Sequence, residues 1–354
     1  RRRGNRPGRM SVVLAAVELL LGAGLLLLPQ LSVRLFAVVV AVYLTLLVTV
    51  EAVNAILYGR MRRWGAFFPA MAAAVGGTGL FVLIVFVPAL RNAALRYTAA
   101  LLLTVFGTGL VCDVLALTIR SRRVRRVLGS IRVALPDLMS LFLPQRTADV
   151  LPRAPLGPVP QQGTEEFELL FQTSAHGIGL VGHCELCFDG RTLTYGAYDP
   201  AHQRLLRTVG AGIVFSAPRE SYLRWCIGTH HRRVISYSLR LPPAQAAQLR
   251  AELERFRQTL SPWQPEALPE DCFAGRLRRL GGVRFWRVQR GPYATYFIPT
   301  INCVSLTNKL LEKTDIGRTV MLGLKTPGAY LDLLEREYLA GNPAVTARRV
   351  YDKI

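Results

Sequence analysis

Four apolar runs at residues 10–28, 33–58, 65–90 and 94–119 follow one another with only short breaks between them. Each is long enough to cross a hydrocarbon core, which takes about 20 helical residues. That series predicts a membrane-embedded, all-α bundle of four transmembrane helices. The small residues Gly76, Gly77 and Gly79 suit close approach of neighbouring membrane helices. Arg1, Arg2, Arg3, Arg6 and Arg9 precede the first run as they would in a secretory signal. No small-x-small cleavage pattern follows Leu28, however, and a second run begins almost at once, so the first run is read as a retained span.

Charge supports the same reading. The chain of 354 residues is 51% hydrophobic yet carries a formal charge of +21. Residues 1–163 hold 19 Arg, no Lys and five acids, a net of +14, whereas residues 164–354 hold 25 bases and 18 acids, a net of +7. The excess therefore sits with the apolar half, and nucleic acid is an unnecessary partner. Its distribution reports orientation. Thirteen arginines lie before the first run, in the second loop and just after the fourth run, against three (Arg34, Arg91 and Arg96) in the other two loops. A multi-pass plasma-membrane protein with both termini cytoplasmic follows.

Three acids fall within the spans. Glu18, Glu51 and Asp113 each lie roughly 10 Å from the cytoplasmic ends of their helices, at about 1.5 Å per residue. Intramembrane acids are costly and tend to face a bundle interior, so a proton or cation site is one reading. Protonated, hydrogen-bonded packing groups, or pairs with arginines at the membrane edge, are the other.

The two hairpins also form a loose repeat. GAGLLLLP at residues 22–29 recurs approximately as GLFVLIVFVP at residues 79–88, and Glu51 is echoed by Asp113. This pattern resembles the HdeD acid-resistance membrane family over about 110 residues, although that family usually has six spans. The resemblance implies a link to acid stress. Residues 120–135 then interleave Val124, Val127, Leu128 and Ile131 with arginines, which predicts a basic amphipathic helix lying on anionic inner-leaflet lipids or simply flanking the last span. The membrane domain is thus residues 1–135. Six prolines between Pro136 and Pro160 make residues 136–163 a linker.

Residues 164–354 are sufficient for one independent core and read as a cytoplasmic α+β domain. Strands are expected at residues 166–173, 177–181, 185–188, 191–195, 234–241 and 283–288, with Asp189-Gly190 as a hairpin turn. Helices are expected from Ser216 or Pro218 towards Cys226, and over residues 244–260, 303–313 and 327–338. Cys184-x-x-Cys187, with His183, Cys226, His230 and His231 elsewhere, invites a zinc or redox reading. A C-x-x-C pair on a strand points its side chains to opposite faces, and no second pair exists, so no metal and no cofactor is expected.

Cys303 has a different setting. It follows Asn302 at the start of a predicted helix, where free amide groups and the helix dipole favour a thiolate. His176, opening the glycine-containing stretch HGIGLVG, is the candidate base. The order of these residues, a histidine at a strand start, a strand ending in Tyr195-Gly196 and a late Asn-Cys, resembles the permuted NlpC-type papain-like family that includes lecithin:retinol acyltransferase-like proteins. It covers residues 167–311 with large insertions. The resemblance implies Cys303 as nucleophile and His176 as general base. The third, orienting group matches Tyr195 best, with Glu185 as the alternative. It further implies acyl transfer on an amide or ester, and the predicted cytoplasmic placement then points to a lipid or peptide substrate near the inner leaflet. A non-enzymatic membrane sensor or scaffold, linked to acid or envelope stress, is the alternative function.

Overall fold

A computed structural model describes residues 29–118, 131–133, 166–173, 182–264, 269–270, 272–314, 320–322, 326–339 and 341–352. The chain divides into two compact units, residues 1–104 and 105–354.

In the first unit, helices α1 (Pro29–Arg60) and α2 (Trp64–Phe86) form a hairpin, and α3 (Pro88–Thr118) begins there and runs into the second unit. Residues Val33–Arg60 and Trp64–Phe86 are long and apolar enough to cross a membrane. Much of their surface is outward-facing hydrocarbon, such as Val38, Val39, Phe68 and Val75. That is costly in water and ordinary in lipid. Close packing within the hairpin rests on Gly77, where a Cβ would come within 2.8 Å of Val48 Cγ2. The break between α2 and α3 falls at Val87, earlier than the expected loop at residues 91–93. Proline has no N–H to donate and is preset for a first helical turn, so Pro88 starts α3. Arg91 folds back and donates to the carbonyls of Ile84 (2.7 Å) and Val85 (3.0 Å), which the end of α2 leaves unpaired.

The first predicted span, Glu18 and the side chain of Asp113 lie outside the described residues. Glu51 accepts a bond from Asn54 Nδ2 at 3.3 Å. Residues 131–133 are not the end of a basic helix. They form strand β1 (Ile131–Val133), parallel to β11 (Val320–Leu322), because the β-branched pair Ile131 and Val133 finds a partner strand there. The rest of that expected helix and the Pro-rich linker lie outside the described residues.

The second unit is built on an eight-stranded, wholly antiparallel sheet in the order β12-β7-β2-β3-β4-β6-β9-β8. Its strands are β2 (Glu166–Thr173), β3 (His183–Phe188), β4 (Arg191–Gly196), β6 (Ile213–Pro218), β7 (Arg233–Arg240), β8 (Leu260–Pro262), β9 (Arg284–Val288) and β12 (Val345–Tyr351). A small separate ladder pairs β5 (Val209–Ala211) with β10 (Thr295–Phe297). Asp189-Gly190 makes the β3–β4 turn, both with positive φ, as a tight hairpin requires.

Both faces of the sheet are covered. On one lie α5 (Pro243–Arg257), α7 (Cys303–Leu311) and α8 (Pro327–Leu339), packed on Phe167, Leu169, Phe171, Ile235 and Tyr237. On the other lie α4 (Arg219–Gly228) and α6 (Phe273–Arg278), packed on Leu170, Ile213, Phe215 and Ala217. Strand side chains alternate between faces, so adjacent residues of β2 enter different cores. Ser216 lies inside β6 rather than at a helix start, and α4 begins after Pro218. The expected strand at residues 177–181 lies outside the described residues.

Candidate functional site

Asn302 caps α7 in both directions. Its side-chain oxygen accepts from the Ser305 amide at 3.0 Å, Ser305 Oγ accepts from the Asn302 amide at 2.9 Å, and Asn302 Nδ2 donates to the Ile298 carbonyl at 2.7 Å. This reciprocal cap fixes the first turn of the helix and hence the direction of the next side chain, Cys303. Cys303 is buried, with 3% of its surface exposed, against the start of β3. The Cys184 amide donates to its sulfur at 3.4 Å, and the neighbouring Val304 amide and Tyr296 hydroxyl favour its thiolate electrostatically. One backbone amide therefore bonds the sulfur, with a second amide and a hydroxyl beside it.

Burial nevertheless dominates. It pushes the Cys303 thiol up to about 11, against the opposing pull of the Cys184 and Val304 amides and with a smaller upward push from Glu185. Cys303 rests as a neutral, buried thiol. A partner that removes its proton is needed for nucleophilic attack.

Tyr195 is close by but committed. Its hydroxyl donates to the carbonyls of Tyr293 (2.9 Å) and Thr295 (3.2 Å), and its ring lies 5.2 Å from that of Tyr296. It thus holds the segment that brings Tyr296 to the sulfur. Gly212 permits this approach, because a Cβ there would collide with the Tyr293 carbonyl. His176, the expected base, lies outside the described residues, between the end of β2 and Gly182.

Cys184 and Cys187 enter different cores, one against Cys303 and α7, the other beside Phe215 and Tyr222. The strand alternation expected of the C-x-x-C pair is what β3 shows. His183 is the histidine nearest Cys303 in sequence to a contacting residue, yet its Nε2 is bonded to the Tyr198 hydroxyl at 3.1 Å. Burial, then the Arg232 charge, lowers it to about 3. A base that weak cannot hold the Cys303 proton.

Glu185 belongs to a second polar assembly, on the far face of β3 from Cys303. One of its oxygens accepts from Tyr222 Oη (2.6 Å), Gln172 Nε2 (2.7 Å) and Thr194 Oγ1 (3.1 Å), and Arg232 donates to Gln172 at 2.9 Å. Its other oxygen, Oε2, has no partner among the described residues. Burial raises Glu185 to about 7, with the bonds from Tyr222, Gln172 and Thr194 pulling the other way. Gln172, Tyr222, Tyr296 and Arg232 have no motif around them. Only Glu185, an acid between the apolar Cys184 and Leu186, signals an unusual environment in the sequence.

Comparisons with known proteins find no match among family models, curated proteins or solved structures.

Proposed function

We propose that this chain is a four-span protein of the plasma membrane whose cytoplasmic domain is a papain-like thiol hydrolase or acyltransferase. Its nucleophile is Cys303 and its base His176, acting on an amide or ester near anionic inner-leaflet lipids. The observation that carries this reading is Cys303 Sγ at the capped start of α7, accepting a bond from the Cys184 amide at 3.4 Å. A sulfur supplied with amide donors at a helix N-terminus is stabilised most when it becomes a thiolate.

In the reaction, His176 takes the thiol proton as Sγ bonds to the substrate carbonyl carbon. The tetrahedral adduct collapses, the C–N or C–O bond breaks, and the amine or alcohol leaves with that proton. Water or an acceptor hydroxyl, deprotonated by His176, then attacks the thioester carbonyl; the C–S bond breaks, the acyl product leaves, and protonated His176 returns the proton to Sγ. His176 flanks the right strands for this role. It lies three residues beyond the end of β2 and seven before His183, and Cys184 touches the sulfur.

The test compares cysteine alkylation by iodoacetamide, peptide by peptide, in the full chain and in His176→Ala. Cys303 is expected to react faster at pH 7 than Cys184, Cys187 and Cys226, and to slow by roughly 100-fold without the histidine, a typical contribution of a positioned base. Equal rates in both proteins remove the enzyme reading. They would leave the sensor reading, which the neutral-range titration of buried Glu185 favours.

A further inference from the structure

A groove of about 350 Å³ opens between α5 and the β4-β6-β9-β8 end of the sheet, on the face that also holds Cys303. Its floor is apolar: Phe188, Leu193, Leu253, Phe256, Leu260 and Trp286. Its rim is basic, with Arg191, Arg250, Arg257 and Arg284 against the single acid Glu254. Residues 250, 253, 254 and 257 fall at helical spacing on one side of α5, and residues 284 and 286 on one face of β9, so the helix and strand periods bring rim and floor together.

The rim arginines differ in how far they are committed. Arg191 donates to Ser216 Oγ (2.9 Å) and the Gly282 carbonyl (2.7 Å), and Arg250 forms a two-pronged pair with Asp189. Arg257 reaches Glu254 only at 3.7 Å, and Arg284, exposed, has no ion pair or hydrogen bond among the described residues. Elsewhere on α5 cations are well matched, as where Glu252 takes both Arg255 and Lys313 within 2.8 Å. The mouth of the apolar groove thus keeps a positive excess, with Arg257 only loosely paired and Arg284 in no ion pair among the described residues.

We propose that this groove binds an anionic amphiphile, a carboxylate or phosphate head group carried on one aliphatic chain. The chain lies over Leu193, Leu253 and Trp286, and the head group is held by Arg257 and Arg284. Ligand pockets run from about 300 to 1,000 Å³, and this one is at the small end, which suits one chain and not two. Guanidinium forks bind carboxylate and phosphate oxygens in pairs, so the rim selects the head group while the floor supplies affinity. The site stands apart from chemistry at Cys303, and Cys303→Ala is expected to retain it.

Photolabelling of the full chain in neutral-lipid nanodiscs tests this, with a diazirine-bearing long-chain fatty acid, the matching lysophosphatidic acid, and the fatty acid's methyl ester. Labelled peptides are expected to contain Leu253, Phe256, Leu260 or Trp286, with either acidic probe. The probe giving more label identifies the head group. The double variant Arg257→Glu/Arg284→Glu should lose label by at least about tenfold, the effect of losing one charged hydrogen bond or more, while circular dichroism shows the fold retained. Leu193→Trp, which fills the floor and leaves the rim intact, should lose label with the same probes. Equal labelling by the methyl ester, unchanged labelling in both variants, or label confined to α1–α3 overturns the proposal.

Discussion

Glu185 shows how one side chain ties stability to pH. Its carboxyl is fully buried and titrates at about 7 when folded, against a usual 4.5. Between those values the folded state holds a proton that the unfolded chain has released. The associated stability is therefore complete below pH 4.5 and is lost as pH rises through 7. A shift of that size corresponds to about 3 kcal/mol. Glu185→Gln keeps an oxygen for Tyr222, Gln172 and Thr194 but cannot ionise, so its urea midpoint, followed by tryptophan fluorescence, should stay level between pH 5 and 8. The wild-type midpoint should fall over the same interval. Parallel curves for the two proteins would show that Glu185 does not govern this dependence. The same low-dielectric setting governs Cys303, where burial holds the proton on the thiol.

At the scale of elements, α7 depends on its first residue. Asn302→Ala removes the cap and is expected to cost about 1 kcal/mol, seen as a lower urea midpoint. Asn302→Asp keeps the acceptor for Ser305 while losing the donor to Ile298, so it should recover most of that stability. If both variants fall equally, the bond to Ile298 rather than the helix cap is what matters. The start of α7 was legible because Asn before a 3.6-period run is a strong local signal, and β2, β4 and α8 were legible within a residue or so for the same reason of clear period. What the sequence did not disclose has a common physical cause. β5, β8, β10 and β12 are short or polar strands held by partners distant in the chain, as when Val350 of β12 pairs with Ile235. Tyr296 is positioned beside Cys303 by Tyr195, distant in the chain but in the same core, which anchors the carbonyls next to it. Long-range contacts of this kind leave no local period. Covering both faces of an antiparallel sheet also hides Glu185, since β3 then alternates between two cores instead of between core and water.

For the whole molecule, the proposed cytoplasmic placement of the second unit rests on the +14 of residues 1–163. Arginines flanking a span are retained on the cytoplasmic side, and counting is most decisive over short loops. The loop between α1 and α2 carries Arg60, Arg62 and Arg63, whereas Arg91 near the start of α3 is already committed to the carbonyls ending α2. A green fluorescent protein fused after Ile354 should fluoresce and an alkaline phosphatase fused at the same place should be inactive, because the first folds in the cytoplasm and the second only outside it. Fusions after Arg63 should behave alike, and fusions after Val87 should reverse both readouts. Active phosphatase after Ile354 would place the second unit outside the cytoplasm, and Cys303 would then face an oxidising compartment, where free thiols are prone to disulfide formation.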